Sequence, residues 1–264
     1  MKDIPLITTI GADGIATLTM NRPQLRNAFD EDLINRICDE MGRLSTDESI
    51  RIIVLTGSGD VFCAGADLNM MQRVSNYSAS ENRDDARRLG HMLSAINNSK
   101  KPTIARVNGP AMGGGVGLIA ACDIAIGVEN AFFAFSEVRV GLIPAMISPF
   151  ILQAISPRRA RRYFLTGERF DAECAFQIEL LHRVVASDRL DEAIDELCDT
   201  LLTCAPNAIT ESKKLIDAVK DRPIDEKIID ETAKRIAGVR SSSEGREGIS
   251  AFLEKRKPSW VKDK

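Results

Sequence analysis

The sequence predicts an α/β protein, a mixed core of strands and helices followed by a helical C-terminal part. β-Branched runs such as Ile50-Arg51-Ile52-Ile53-Val54-Leu55-Thr56 and Thr103-Ile104-Ala105-Arg106-Val107 read as buried strands. Amphipathic helical patterns lie between such runs. From Arg189 onward only helical patterns occur, over 190–202, 207–219, 224–237 and 243–255. The change falls near Cys204-Ala205-Pro206, so the expected division is 1–204 and 205–264.

In order along the chain, Leu6–Ile10 and Ile15–Met20 flank the turn cluster Gly11-Ala12-Asp13-Gly14 and read as a hairpin. Asp30 is an N-cap candidate for a helix with Leu33, Ile34, Ile37, Met41 and Leu44 on one face. The polar stretch 69–85 reads equally as a loop over a site or a frayed helix, and 86–96 as a helix. A glycine-rich segment, 109–117, follows the strand 103–107 and leads into an apolar helix over 116–122. Strands over 123–128 and 131–135 come next, then an irregular stretch to Pro149. Ser156-Pro157 and Asp171 open further helices, and His182–Val185 is a short strand.

The chain has 264 residues, 44% hydrophobic and 28% charged, ordinary for a soluble globular protein. Its net charge of −3 offers no general attraction to nucleic acid. The arginine cluster at 158–162 reads as a solvated helix face. The six cysteines lack metal-ligand or disulfide-framework spacing, and neither a signal peptide nor a run of roughly 20 apolar residues occurs. The expectation is a cytoplasmic protein without a metal site, a membrane segment or a nucleic-acid partner. His91 and His182 stand apart from any Ser or Cys motif and read as structural.

Chemistry concentrates where glycine leaves backbone open. Cys63-Ala64-Gly65-Ala66-Asp67-Leu68 and Gly113-Gly114-Gly115 each follow a buried strand. If those strands are neighbours, two backbone N–H groups converge on one oxygen, as in an oxyanion hole. The same small residues suit close packing of helix on strand, and spacing alone leaves both readings open.

Several motifs carry a resemblance. They are Asn21-Arg22-Pro23 with Asn27-Ala28, Phe62–Leu68, Val107-Asn108-Gly109 leading into Gly113-Gly114-Gly115, and Cys122-Asp123-Ile124-Ala125. Phe135-Ser136-Glu137 with Gly141–Pro144, Leu165–Glu168 and Glu247–Arg256 continue the pattern, so it spans nearly the whole chain in order. It resembles the enoyl-CoA hydratase/isomerase (crotonase) superfamily. The resemblance implies a spiral of ββα units with a helical C-terminal trimerisation subdomain, assembled as a trimer or dimer of trimers. It implies an acyl-CoA substrate and no cofactor beyond the coenzyme A that the substrate carries. It assigns the oxyanion-hole N–H groups to Ala64 and Gly114. Coenzyme A contacts are implied for Arg26 and Ala28, for Ala66, Asp67 and Leu68, and for a tail cation, Lys255 or Lys257. Glu179 falls where many members have glycine after a helix.

The catalytic carboxylates are where the chain departs from the family. Hydratases carry one Glu about three residues beyond the hole glycine, and here that position is Gly117. The second position is present as Glu137. One carboxylate can serve in turn as base toward water and acid toward the α-carbon. Hydration of an α,β-unsaturated thioester by Glu137 is therefore the expected reaction. A Δ3-Δ2 isomerase needs the same single group, and a non-catalytic assembly subunit is the rival outside enzymes. The missing side chain at Gly117 is expected to leave space for water or a bulkier acyl group. The run 136–149 is similar to bacterial hydratases of the methylglutaconyl-CoA type, whose substrate carboxylate wants a cation; Arg83, Arg87, Arg88 and Arg139 are candidates. A dinucleotide fold is the other enzyme rival, but Leu118 stands where its third glycine belongs.

Overall fold

The computed structural model describes residues 4–261. In chain order the strands are β1 (Leu6–Ile10), β2 (Ile15–Met20), β3 (Ile52–Gly57), β4 (Thr103–Val107), β5 (Ala111–Met112), β6 (Ile124–Val128), β7 (Phe132–Ala134), β8 (Phe170–Asp171) and β9 (Arg183–Val185). β1 and β2 form the expected antiparallel hairpin, Leu6 opposite Met20 and Ile10 opposite Ala16. From β2 onward the large sheet is parallel, in the order β1-β2-β3-β4-β6-β9. β3 is buried along its whole length, which its unbroken Ile-Ile-Val-Leu run requires.

A second layer lies beyond the ends of these strands. β5 pairs in parallel with β7, which pairs antiparallel with β8. Isolated parallel bridges, Phe29 to Ala66 and Cys63 to Ala111, extend this layer toward the N-terminus. Each turn of chain thus runs long strand, short extended piece, helix. The first is β2, residues 27–29 and α1 (Glu31–Thr46). The second is β3, residues 63–66, then α2 (Leu68–Val74) and α3 (Ala79–Asn97). The third is β4, β5 and α4 (Gly114–Ala121), and the fourth is β6, β7 and a 3-10 turn, Glu137–Val140. These are the ββα turns that the family resemblance implies. They leave no legible repeat in the sequence because β5 and β7 are only two and three residues long.

Local chemistry sets the helix starts. Asp30 accepts the Leu33 N–H, and α1 buries Leu33, Ile34, Ile37, Met41 and Leu44 as its periodicity requires. The stretch 69–85, ambiguous in sequence, is two helices. Asp67 caps α2, and Ser78 with Glu81 forms a reciprocal capping box that starts α3 at Ala79, earlier than the expected residue 86. Further on come α5 (Ser148–Ala154), α6 (Pro157–Thr166) opened by Ser156, and α7 (Ala172–Gln177) opened by Asp171. Glu179, after α7, holds φ at +74°, the left-handed conformation in which glycine is common. His182 is structural as expected, its Nδ1 accepting the Ala125 N–H at 3.1 Å.

The chain divides into two compact units at Asp195–Glu196, within α8 (Leu190–Thr203), rather than at Cys204-Ala205-Pro206. The helical pattern of α8 runs on past the division, which hides it from a reading of composition. The second unit contains α9 (Pro206–Val219), α10 (Glu226–Ser241) and α11 (Ser243–Leu253). Within it the Glu244 carboxylate accepts the Asn207 and Ala208 N–H groups at the start of α9. Arg256 grips Glu247 through two nitrogens at 2.6 and 2.8 Å. Among the described residues no helix is long and apolar enough to cross a membrane.

Candidate active site

The site forms where the short extended pieces end, in the unit that runs to Asp195. Residues 63–67 lie between two neighbours. On one side Ala64 N–H donates to Arg26 O, Phe29 N–H to Gly65 O and Asp67 N–H to Phe29 O, each at 2.9 Å. On the other, Cys63 N–H donates to Pro110 O at 3.3 Å and Met112 N–H to Cys63 O at 3.0 Å. In the parallel bridge to Phe29 it is Gly65 and Asp67 that bond across, so the Ala66 N–H points to the opposite side. That is the side of the glycine-rich turn.

The expectation for Ala64 is therefore corrected. Its N–H is committed to Arg26 O and is not free for a ligand. Ala66 N–H has no acceptor among the described residues, and neither has Gly114 N–H, the first of α4. The two donors are brought together by Gly65, at φ +89°, where a Cβ would lie 2.8 Å from Met112 O and 3.7 Å from Gly114 N. Gly114 is glycine for a separate reason: a Cβ there would run into the Phe29 ring.

Glu137 faces the same turn. It follows β7, which is anchored by Phe133 and Phe135 against Phe170 at ring distances of 5.7 and 5.9 Å. Gly113 N–H donates to Ala134 O at 2.9 Å and ties the start of α4 to the end of β7. The Glu137 carboxylate lies over Gly113, with Oε1 3.2 Å from where a Cβ would be. Its Oε2 is buried without a hydrogen-bond partner. Burial pushes the Glu137 pKa up, opposed in part by a hydrogen bond from its own N–H. A half-buried carboxylate with an unused oxygen, beside two unused N–H donors, can move a proton next to a developing oxyanion.

Gly117 gives a second correction. The expected space is filled: a Cβ on Gly117 would run into Ile147, with Leu93 Cδ1 3.7 Å away. Gly117 is buried beneath Ile147. At the position where the family resemblance implies a carboxylate, this chain packs an isoleucine supplied from thirty residues downstream.

The remaining expected residues divide. Ala28 is buried, its carbonyl accepting Arg22 Nη1 at 2.6 Å. The Asp67 carboxylate is engaged by Arg22 at 3.1 Å and by the N–H groups of Asn69 and Met70, so it holds structure and is not a free ligand. Leu68 is 81% exposed at the start of α2, and Arg26 is exposed beside Ala64. Lys255 and Lys257 are exposed in the other unit, Lys255 at φ +55° just beyond α11. Of the candidate arginines, Arg88 pairs with Asp85 at 2.7 Å, and Arg139 lies against Gly167. Arg83 and Arg87 are exposed on α3. Sequence reasoning missed Arg22, Phe29 and Ile147. The Asn21-Arg22-Pro23 motif was the available signal for the first, and Asp30 and Asp67 its unrecognised partners. Among the described residues no group of three or more His, Cys, Asp or Glu is placed to hold a metal ion.

Two layers of short and long strands, with open backbone donors and one carboxylate at the strand ends, define a crotonase-fold protein. Residues 11–263 match the family model described as enoyl-CoA hydratase/isomerase, and the chain belongs to that family. It is 33% identical over 248 residues to a 2,3-dehydroadipyl-CoA hydratase of Escherichia coli, across 93% of this chain and 94% of the relative. It is 30% identical over 251 residues to a 1,2-epoxyphenylacetyl-CoA isomerase of the same organism, across 94% and 95%. The crystal structure of an enoyl-CoA hydratase from Shewanella pealeana superposes with a TM-score of 0.94 at 40% identity, over 97% of this chain and 96% of that one.

The plug at Gly117 makes a direct prediction. Gly117→Ala destabilises the fold by about 1–3 kcal/mol through overpacking against Ile147. Ile147→Ala in the same chain recovers part of that loss. Strict additivity of the two changes in denaturant unfolding contradicts the packing described.

Proposed function

We propose that the protein hydrates an α,β-unsaturated acyl-CoA thioester, with Glu137 as acid/base and the N–H groups of Ala66 and Gly114 as the oxyanion hole. The observation that carries this reading is the half-buried Glu137 carboxylate, with its buried Oε2 unpartnered, beside two uncommitted backbone donors. Glu137 takes a proton from water as the water oxygen bonds to the β-carbon. The π electrons move onto the thioester oxygen, where the two donors stabilise the charge; one such donor is worth about 2.7–4 kcal/mol. The enolate then collapses and takes the proton from Glu137 at the α-carbon. The raised pKa suits this cycle, because Glu137 must release its proton to carbon in the second half.

The acyl group we assign is short and branched, of the 3-methylglutaconyl type, on the residue pattern of 136–149. The packing of Ile147 removes the space argument for bulk, so the residue pattern alone supports that choice. Coenzyme A arrives with the substrate, and no separate cofactor enters the cycle. The exposed apolar residues Ile216, Ile224, Phe252 and Leu253 of the second unit support assembly as a homotrimer or dimer of trimers. Δ3-Δ2 isomerisation is the second reading, favoured by the lone carboxylate and by the isomerase among the relatives. A purely structural subunit would have no use for a carboxylate buried without a partner.

A panel of crotonyl-CoA, 3-methylglutaconyl-CoA and a 3-enoyl-CoA, followed by thioester absorbance and product mass, tests the assignment. Addition of water to the branched substrate at the highest kcat/KM is expected. Migration of the double bond in the 3-enoyl-CoA without hydration of the others favours the isomerase, and no turnover of any favours the structural role.

Glu137→Gln is expected to lower kcat by about 10²–10⁴-fold; activity within tenfold of the parent overturns the role of Glu137. The same change tests the electrostatics. A raised folded pKa means that the ionised carboxylate is disfavoured by folding, so the parent loses stability as pH rises through that value. Glu137→Gln is then more stable than the parent at neutral pH, and the gain vanishes below the ordinary glutamate pKa of about 4.3.

A further inference from the structure

Arg26 and Asn27 are adjacent, neither is glycine, and both lie in the left-handed region, at φ 52° and 55°. Such backbone persists where its surroundings over-determine it. Asn27 supplies that determination. Its side chain is fully buried, and its amide donates to Ser58 O at 2.8 Å and Val61 O at 2.7 Å. Its Oδ1 accepts the Arg22 N–H at 3.0 Å, closing the turn on itself. Asparagine suits this place because its short amide tolerates the left-handed region while bonding to nearby backbone.

The turned backbone then meets the loop 63–67 at successive residues. Arg26 O accepts Ala64 N–H, and Asn27 O accepts the Cys63 thiol at 3.2 Å. That thiol also receives the Gly65 N–H at 3.4 Å, so it links the turn to the residue that aims the Ala66 donor. Cys63 also packs against Gly115, the residue after the other donor, since a Cβ on Gly115 would run into its carbonyl and lie 2.9 Å from its Cβ. Phe29, two residues past Asn27, sets the closest approach of Gly114.

We propose that Asn27 is a positioning residue for the reaction. It holds the Arg26–Phe29 turn, which through Cys63 fixes the Ala66 N–H against the Gly114 N–H. The proposal rests on the oxyanion hole assigned above. Asn27 touches no reacting atom, so its removal weakens carbonyl polarisation more than it weakens coenzyme A binding.

Asn27→Asp, Cys63→Ala and Cys63→Ser test this, with thermal unfolding, steady-state kinetics and the absorbance of bound 4-dimethylaminocinnamoyl-CoA. That thioester absorbs further to the red as its carbonyl oxygen is polarised. The parent is expected to redden the probe. Asn27→Asp and Cys63→Ala are expected to lose at least half of that shift and at least tenfold in kcat, with KM changed less than threefold. Cys63→Ser keeps a donor and an acceptor in place and is expected to stay within threefold in kcat. If Asn27→Asp does not fold, Cys63→Ala carries the test through the same linkage. A parent that binds the probe without a red shift overturns the oxyanion hole itself. A parent shift that survives in full in folded variants, with kcat within twofold, overturns the role of Asn27 and leaves the hole intact.

Discussion

The structure depends on a loop of five residues held from both sides. Residues 63–67 bond to 26–29 along one edge and to 110–112 along the other. That double attachment takes up the N–H groups of Cys63, Ala64 and Asp67, and Gly65 donates to the Cys63 thiol, so Ala66 N–H alone in the loop lacks an acceptor among the described residues, and it points toward the start of α4. Backbone polar groups within a fold are nearly all paired. An uncommitted N–H beside another uncommitted N–H is therefore a specific feature of the surface, and it lies under Glu137, whose carboxylate is the one among the described residues with an unpaired buried oxygen.

Electrostatics and packing bear on this region together. Arg22 reaches Asp30 at 3.0 Å and Asp67 at 3.1 Å, with both Arg22 and Asp67 largely shielded from water. One arginine thus joins the residue that caps α1 to the residue that caps α2. A pair removed from solvent in this way is strongly coupled to its geometry, since losing one partner strands the other charge. Ile147 acts by volume instead. It fills the space over Gly117, which in the proposed cycle leaves Glu137 as the single acid/base.

Much of this fold was legible in the sequence, because its signals are local. The hairpin followed from the glycine-rich turn between two strands, and α1 from Asp30 and a clean apolar face. Glu137 and Gly114 were singled out by the family resemblance, and the structure brings the two to the same turn. Residues set by non-local partners were not legible. Whether Ala64 or Ala66 presents its N–H is decided by which neighbour each bonds, and those neighbours lie roughly 40 residues away on either side. Gly117 marked an absent side chain, but only the fold brings Ile147 onto it. The start of α3 was hidden for a different reason: its first turns are polar, and the capping box Ser78–Glu81 was overlooked amid that polarity.

The central claim is that one carboxylate takes the proton from water and returns it to carbon on the same face. Hydration in deuterium oxide, with the configuration of the product read at both carbons, tests this most directly. The account predicts syn addition, with deuterium at the α-carbon and the hydroxyl at the β-carbon on one face. Anti addition requires an acid on the opposite face and would contradict a single Glu137 cycle.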